Sequence, residues 1–312
     1  MTIRSIFSLG LLLLLSVSLL AQEKTLQKEK SQPVVASKPV KKHLLQYRFR
    51  AGESLLYQSR FEMTMTTVKG SSSEKVVSKT KMKKHFKVVS VEKDQSIILE
   101  PILDHVVMSV KFNETEPITY NSSSQKAPPR KFKHVVESIG IAMVHLKINS
   151  QGKLLDVILQ KLKKKRPVIT KTKGDRTNQM LQKSFLVKFP DKPVQIGESW
   201  KEILQSTVSI KGIRLQMPVR LKRSYQLKSV ENNIATISVK TSLLTVINDS
   251  HQRAQLIQRT PRGTILFDIK KGILISRKMK VHKKVFGIAG GNSYMEASSQ
   301  FEETFVEKKK AN

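Results

Sequence analysis

Phe189-Pro-Asp-Lys-Pro-Val-Gln-Ile-Gly-Glu-Ser-Trp200 is the stretch on which the reading of this chain turns. Pro190 and Pro193 end regular structure, Gly197 supplies a turn, and a strand-like run opens at Trp200, the only tryptophan. An earlier stretch, Ala51-Gly-Glu-Ser-Leu55, echoes Ile196-Gly-Glu-Ser-Trp200. Two more landmarks recur in the same order. Ser90-Val-Glu-Lys-Asp94 answers Ser229-Val-Glu-Asn-Asn233, and a hairpin at Gly152 answers one at Gly272. The stretch is therefore read as the seam between two related halves, residues 44–160 and 194–306.

Outward from the seam, apolar and polar residues alternate as on half-buried strands. Leu45-Gln-Tyr-Arg-Phe49 opens the first half. Phe61, Met63 and Met65 then face away from Glu62, Thr64 and Thr66, and Met82, Phe86 and Val88 oppose Lys81, Lys83 and Lys87. Strands follow over 96–102 and 106–112, then the hairpin of 144–148 with 154–159. The second half retraces this plan over 200–210, 213–230, 234–247, 263–269 and 273–285, with a last strand over 293–306. Residues 248–262 read as a polar link. Helical spacing appears over 131–143, where Phe132, Val135, Val136, Ile139 and Met143 share a face after Pro128-Pro129. A second short helix is read around 175–187, inside a basic linker spanning 161–193. The class expected is mainly β (α+β): curved antiparallel sheets, open-barrel or half-barrel-like, with one or two short helices.

The charge is the outlier, 57 Lys+Arg against 24 Asp+Glu for a net +33. Such a field attracts polyanions and says nothing about fold. The chain has no cysteine, which excludes disulfides, thiolate chemistry and cysteine-type zinc sites. Met1–Ala21 reads as a secretory signal peptide: Arg4, an apolar run over Ile6–Leu20 that is short for a spanning helix, then Ala21 before polar Gln22. Leu19 stands where a small residue is preferred, so a retained anchor is the alternative to cleavage. Residues 22–43 read as a solvated tether and 307–312 as a basic tail. The expected location is the periplasm or outside the cell, with no transmembrane helix left after cleavage.

Catalytic patterns are missing. The seven histidines show no His-Glu-x-x-His and no pair at i, i+4. Ser54 and Ser199 begin strands rather than a strand-to-helix elbow. The glycines of 287–291 lack the flanking strand and helix of a phosphate cradle. Asp104, Asp156 and Asp268 read as turn or surface acids. No enzyme, cofactor or metal site is expected. The sharpest functional candidate is the acid-free run Lys161, Lys163, Lys164, Lys165, Arg166, Lys171 and Lys173. Export and the lack of aromatic neighbours for base stacking argue against nucleic acid there. Anionic envelope polysaccharide, lipid head groups or acidic proteins are the partners expected. Further basic residues lie along strand faces, at Lys79, Lys81, Lys83 and Lys87, and at Arg220, Lys222 and Arg223. A third candidate is the concave sheet face with Met63, Met65, Met82 and Met108, which could shelter an apolar ligand unless the helices fill it.

The signal peptide, Tyr47-Arg-Phe-Arg-Ala-Gly-Glu53, the Gly152 hairpin and the stretch Phe189–Trp200 together resemble an uncharacterised family of exported β-rich proteins common in planctomycete-type bacteria. The resemblance covers roughly residues 44–285 and implies an exported β fold without an assigned activity. This chain departs from that pattern in being far more basic. A looser similarity, in strand and helix order, is to periplasmic lipoprotein carriers with an open barrel. The reading that results is an exported, non-enzymatic binding protein of the cell envelope that holds anionic polymers or surfaces. The alternative is an open-barrel carrier of a lipid-like ligand.

Overall fold

Period-two alternation becomes fourteen strands among the residues that the computed structural model describes, 41–124, 127–159, 186–210, 212 and 215–307. The first seven are β1 Lys42–His43, β2 Ser54–Lys69, β3 Ser72–Val91, β4 Ile97–Phe112, β5 Ile118–Asn121, β6 Val144–Ile148 and β7 Leu154–Leu159. After the seam come β8 Val194–Gln195, β9 Ser199–Ser209, β10 Gln216–Glu231, β11 Ile234–Leu243, β12 Arg262–Asp268, β13 Ile273–Phe286 and β14 Tyr294–Val306. Two short helices, α1 Lys133–Val136 and α2 Ser250–Gln255, complete the set.

One antiparallel sheet takes the order β7-β6-β4-β3-β2-β14-β13-β12-β11-β10-β9, with β5 beside β4. It ends at β7 and β9 and is not closed into a barrel. The strands β2-β3-β4-β6-β7 cross it in the same sequence as β9-β10-β11-β12-β13, and β14 joins β2 to β13. The landmarks coincide in geometry as well. The Gly52 amide donates to Val88 (2.9 Å) and the Val88 amide to Glu53 (2.8 Å). The Gly197 amide donates to Leu227 (2.7 Å) and the Leu227 amide to Glu198 (3.0 Å). Register slips between Val88 and Ser90, and again between Leu227 and Ser229. Those bulges are the physical content of the two Ser-Val-Glu landmarks.

Burial is concentrated on one face. The main core gathers Leu55, Tyr57, Phe86 and Leu99 from the first half with Tyr225, Leu227, Ile237 and Phe267 from the second. The segment 45–49 runs between them. Leu45, Tyr47 and Phe49 are buried there, but the segment is not a strand of the sheet. Its amides go instead to the two hairpins, Tyr47 to Ser150 (2.7 Å) and Arg48 to Gly272 (3.2 Å). Phe189 joins from the seam, with its ring centroid 4.5 Å from that of Phe267. The Tyr47 hydroxyl donates to the Val187 carbonyl (3.2 Å) and accepts from its amide (2.9 Å). Smaller clusters lie under the helices. Val106, Met108, Tyr120 and Phe132 pack around α1, while Val208, Val219, Ile247 and Leu256 pack near α2.

Four expectations change. Residues 45–49 are an extended insert, because alternate burial arises in any extended chain threaded through a core. The 131–143 helix shrinks to a 3-10 turn, Arg130–Phe132, and α1. Its end is fixed where Ile139 bridges Leu103 and the Gly140 amide donates to the Leu103 carbonyl (2.8 Å). The two strands expected over 96–112 are one, β4, with an irregularity near Asp104. The polar link 248–262 contains α2, capped by Asp249, whose Oδ1 accepts the Gln252 amide (2.7 Å). The signal segment 1–21, nearly all of the tether, the helix expected around 175–187 except its last two residues, which are not helical, and the tail beyond Glu307 lie outside the described residues.

Charges also enter the inner face. Glu303 on β14, 1 % exposed, meets Lys84 of β3 (Nζ–Oε2 2.5 Å) and Arg277 of β13 (Nη2–Oε1 3.0 Å). Burial holds the Lys84 amine below its ordinary pKa, against the pull of Glu303. In the second half Arg223 faces inward and pairs with Glu202 (3.2 Å), which also accepts the Tyr225 hydroxyl (2.7 Å). Lys84 and Arg223 each stand four residues before the Val88 or Leu227 bulge.

Two outcomes follow for stability. A Cβ at Gly152 (φ +76°) would fall 2.5 Å from the Val187 carbonyl oxygen, whereas one at Gly197 (φ +89°) meets open space. Gly197→Ala should therefore cost only the left-handed penalty of about 1 kcal/mol, and Gly152→Ala clearly more, by urea unfolding. Glu303→Gln leaves two buried cations facing each other and should cost about 3–5 kcal/mol, whereas exposed Glu302→Gln should stay within about 0.5 kcal/mol. Equal losses in either comparison would contradict the packing described.

Candidate polyanion-binding face

Since the cores lie on one side, the alternate residues of every strand face away from them. This outer face carries many of the basic residues of the strands, and acids are distributed unevenly among them. On the first half and the central strands, acids stand among the bases. Arg60 pairs with Glu62 (2.5 Å), Lys87 with Glu100 (3.9 Å), Lys278 with Glu302 (3.6 Å) and Lys284 with Glu296 (3.6 Å). The Arg60 hydrogen bond holds the Glu62 carboxyl below its ordinary pKa, helped by Lys79 and Lys81. Of the predicted β3 lysines, Lys87 has an ion pair, and Lys79 and Lys81 lie near enough to Glu62 to act on its carboxyl. Lys79 stands opposite Glu62, Lys81 opposite Arg60, and Lys87 near Glu100.

The second half differs. Lys201 on β9, Arg220 and Lys222 on β10, Lys240 on β11, Arg262 on β12 and Lys280 on β13 form no ion pair among the described residues. Register puts three of them side by side: Lys240 opposite Arg262, and Arg262 opposite Lys280. Like charges directly across a ladder repel. These three cations line a cavity of about 470 Å³ with the hydroxyl or amide groups of Ser199, Ser224, Gln226, Ser238 and Thr264. Gly263 lies between Arg262 and Thr264. A Cβ there would fall 1.9 Å from the Lys278 carbonyl oxygen, so only glycine lets β12 approach β13 this closely.

The sequence candidates fare unequally. Lys161, Lys163, Lys164, Lys165, Arg166, Lys171 and Lys173 lie outside the described residues. Arg220 and Lys222 belong to the outer array, but Arg223, grouped with them from the sequence, faces inward to Glu202. Of the methionines, Met82 and Met108 pack in the α1 cluster. Met63 and Met65 are half-buried and belong to none of the three clusters, as are Phe61 and its cross-strand partner Phe301. The carboxylates considered for catalysis have local partners. Asp104 meets His85 (2.8 Å), Asp156 accepts the Val157 amide (2.8 Å), and Asp268 accepts the Lys271 amide (2.8 Å). Among the described residues no group of three or more acids and histidines could hold a metal ion, and no helix is long and apolar enough to cross a membrane. What sequence reasoning missed is the row Lys240, Arg262, Lys280, which is visible only through strand register.

Comparison with known proteins places these features in context. No curated protein sequence matches the chain. A solved structure described as "lipid-protein interactions in lipovitellin" is similar over 85 % of this chain, with 12 % identity and a TM-score of 0.46. The chain spans about a quarter of that protein (26 %). DynF, from the dynemicin biosynthesis pathway of Micromonospora chersina, is similar over 90 % of this chain and 92 % of its own, with 7 % identity and a TM-score of 0.20. The family model that matches spans residues 94–274, from the turn before β4 to the second hairpin, and the chain belongs to that family of unknown function, DUF6263.

Proposed function

We propose that this is an exported, non-enzymatic binding protein of the cell envelope that holds anionic polymers on the outer face of its second half. The observation that carries this is the group Lys201, Arg220, Lys222, Lys240, Arg262 and Lys280, which have no ion-pair partner among the described residues, three of them adjacent in register. Repulsion between opposed cations raises the energy of the bare face, and an anion bridging them removes it. The signal-like segment of residues 1–21 supports export, which keeps the site away from cytoplasmic nucleic acid. The overall charge of +33 steers polyanions toward the protein from any side. The register of the second half decides where they come to rest.

Binding to a heparin-like polymer should weaken steeply with salt, because such fields are screened over about 8–10 Å at physiological ionic strength. Replacing Lys240, Arg262 and Lys280 together by Gln should lower affinity about tenfold or more and leave the melting temperature unchanged or slightly higher. Replacing Lys163, Lys164, Lys165 and Arg166 by Gln should have the smaller effect. The reverse ranking would move the site to the linker, and salt-insensitive binding would contradict the reading.

A second reading, a carrier of a lipid-like ligand, is favoured by Phe61, Met63, Met65 and Phe301 on the inner face outside the packed clusters. On this reading a fluorescent fatty acid binds with little salt dependence, and Met63→Glu with Met65→Glu abolishes uptake without unfolding the protein. Uptake unchanged in that double variant would remove the inner strip from consideration.

A further inference from the structure

The outer face of the second half is an array whose spacing is set by the sheet. Lys240, Arg262 and Lys280 stand opposite one another on three neighbouring strands. Their backbone positions therefore repeat at the interstrand distance, about 4.8 Å. Two residues further along each strand, roughly 6.7 Å away, the next row is neutral on β10, β11 and β12 and ends on β13, outside the cavity, at Lys278, which stands opposite Thr264 and pairs with Glu302. There Gln226 stands opposite Ser238, and Ser238 opposite Thr264. Both rows line the same cavity of about 470 Å³. Most of its exposed lining is carbon, set between these polar groups. Tyr225 and Val239 contribute to the wall, but their side chains turn to the core, 2 % and 3 % exposed, and Tyr225 stacks on Trp200 there (centroids 5.3 Å apart).

We infer that the occupant of this cavity is a linear acidic polysaccharide lying across the strands, an assignment that rests on the anionic-polymer reading above. Its carboxylates meet Lys240, Arg262 and Lys280, and its hydroxyls meet Gln226, Ser238 and Thr264. A polymer with one carboxylate on each sugar carries closely spaced charges, as do the three neighbouring strands. The Arg262 guanidinium at the centre grips a planar carboxylate through two parallel N–H donors, which a lysine cannot do. The neutral row supplies donors and acceptors in the density that sugar hydroxyls need. A single-stranded nucleic acid would lack the aromatic platforms on which bases stack.

Calorimetric titration of the whole protein with oligogalacturonate and with oligothymidylate of equal charge number, at one low salt concentration, tests the assignment. Oligogalacturonate should bind about tenfold tighter or better. Ser238→Ala combined with Thr264→Ala should erase that preference while leaving oligothymidylate affinity and melting temperature unchanged. Arg262→Gln should weaken both ligands and lower the salt slope by about one. Equal affinity for the two polymers, or a preference that survives the hydroxyl double variant, would overturn the polysaccharide assignment and leave polyanion binding standing. Failure to bind either polymer would overturn both.

Discussion

The amides of two consecutive residues, Tyr47 and Arg48, donate to two different hairpins, one from each half of the sheet. An extended segment threaded through a core must satisfy its backbone groups somewhere, and here the hairpin carbonyls of Ser150 and Gly272 do so. The arrangement needs the hairpins to approach very closely. At Gly272 a Cβ would lie 2.4 Å from the Arg48 amide nitrogen, and at Gly152 one would lie 2.6 Å from the Tyr47 ring. Both half-sheets are thus fastened to one insert. Burial falls on the side where the insert lies, and the other side is left to solvent.

That one-sidedness explains where the charge goes. A chain this basic cannot bury its lysines cheaply, so strand alternation turns those on the strands outward with few exceptions. The inward exceptions, Lys84, Arg223 and Arg277, each meet a glutamate. Outward, the few acids are spent unevenly. Glu62, Glu100, Glu296 and Glu302 all stand on the first half or on β14, leaving β9 to β12 without an outward partner for their cations.

Much of the fold was legible because its devices are local. The Gly-Glu-Ser turns, the Ser-Val-Glu bulges and the two glycine hairpins are backbone features written in a few adjacent letters, and period two gave the strands between them. Helix α2 was legible in principle from the cap at Asp249 followed by Ala254, Leu256 and Ile257, but polar neighbours masked its short apolar side. The extended insert was misread because burial alternation does not distinguish a ladder strand from a chain threaded through a core. The outer array was not legible at all. Lys240, Arg262 and Lys280 are far apart in sequence, and only the pairing of β11, β12 and β13 brings them together.

A single irregularity decides which face of the sheet each cation of β13 takes. Between β12 and β13 the register slips, so Phe267 stands opposite Leu274 but Leu266 stands opposite Ser276, with Ile275 as the extra residue. A one-residue slip exchanges the faces of everything beyond it. Leu274, at an even position, faces the core, yet after Ile275 it is the odd positions Arg277, Met279 and Val281 that face inward. The even positions Lys278 and Lys280 therefore point out. The same bulge delivers Arg277 to Glu303 and sets Lys280 beside Arg262, so the buried ion pair and the exposed cation row are two consequences of one inserted residue.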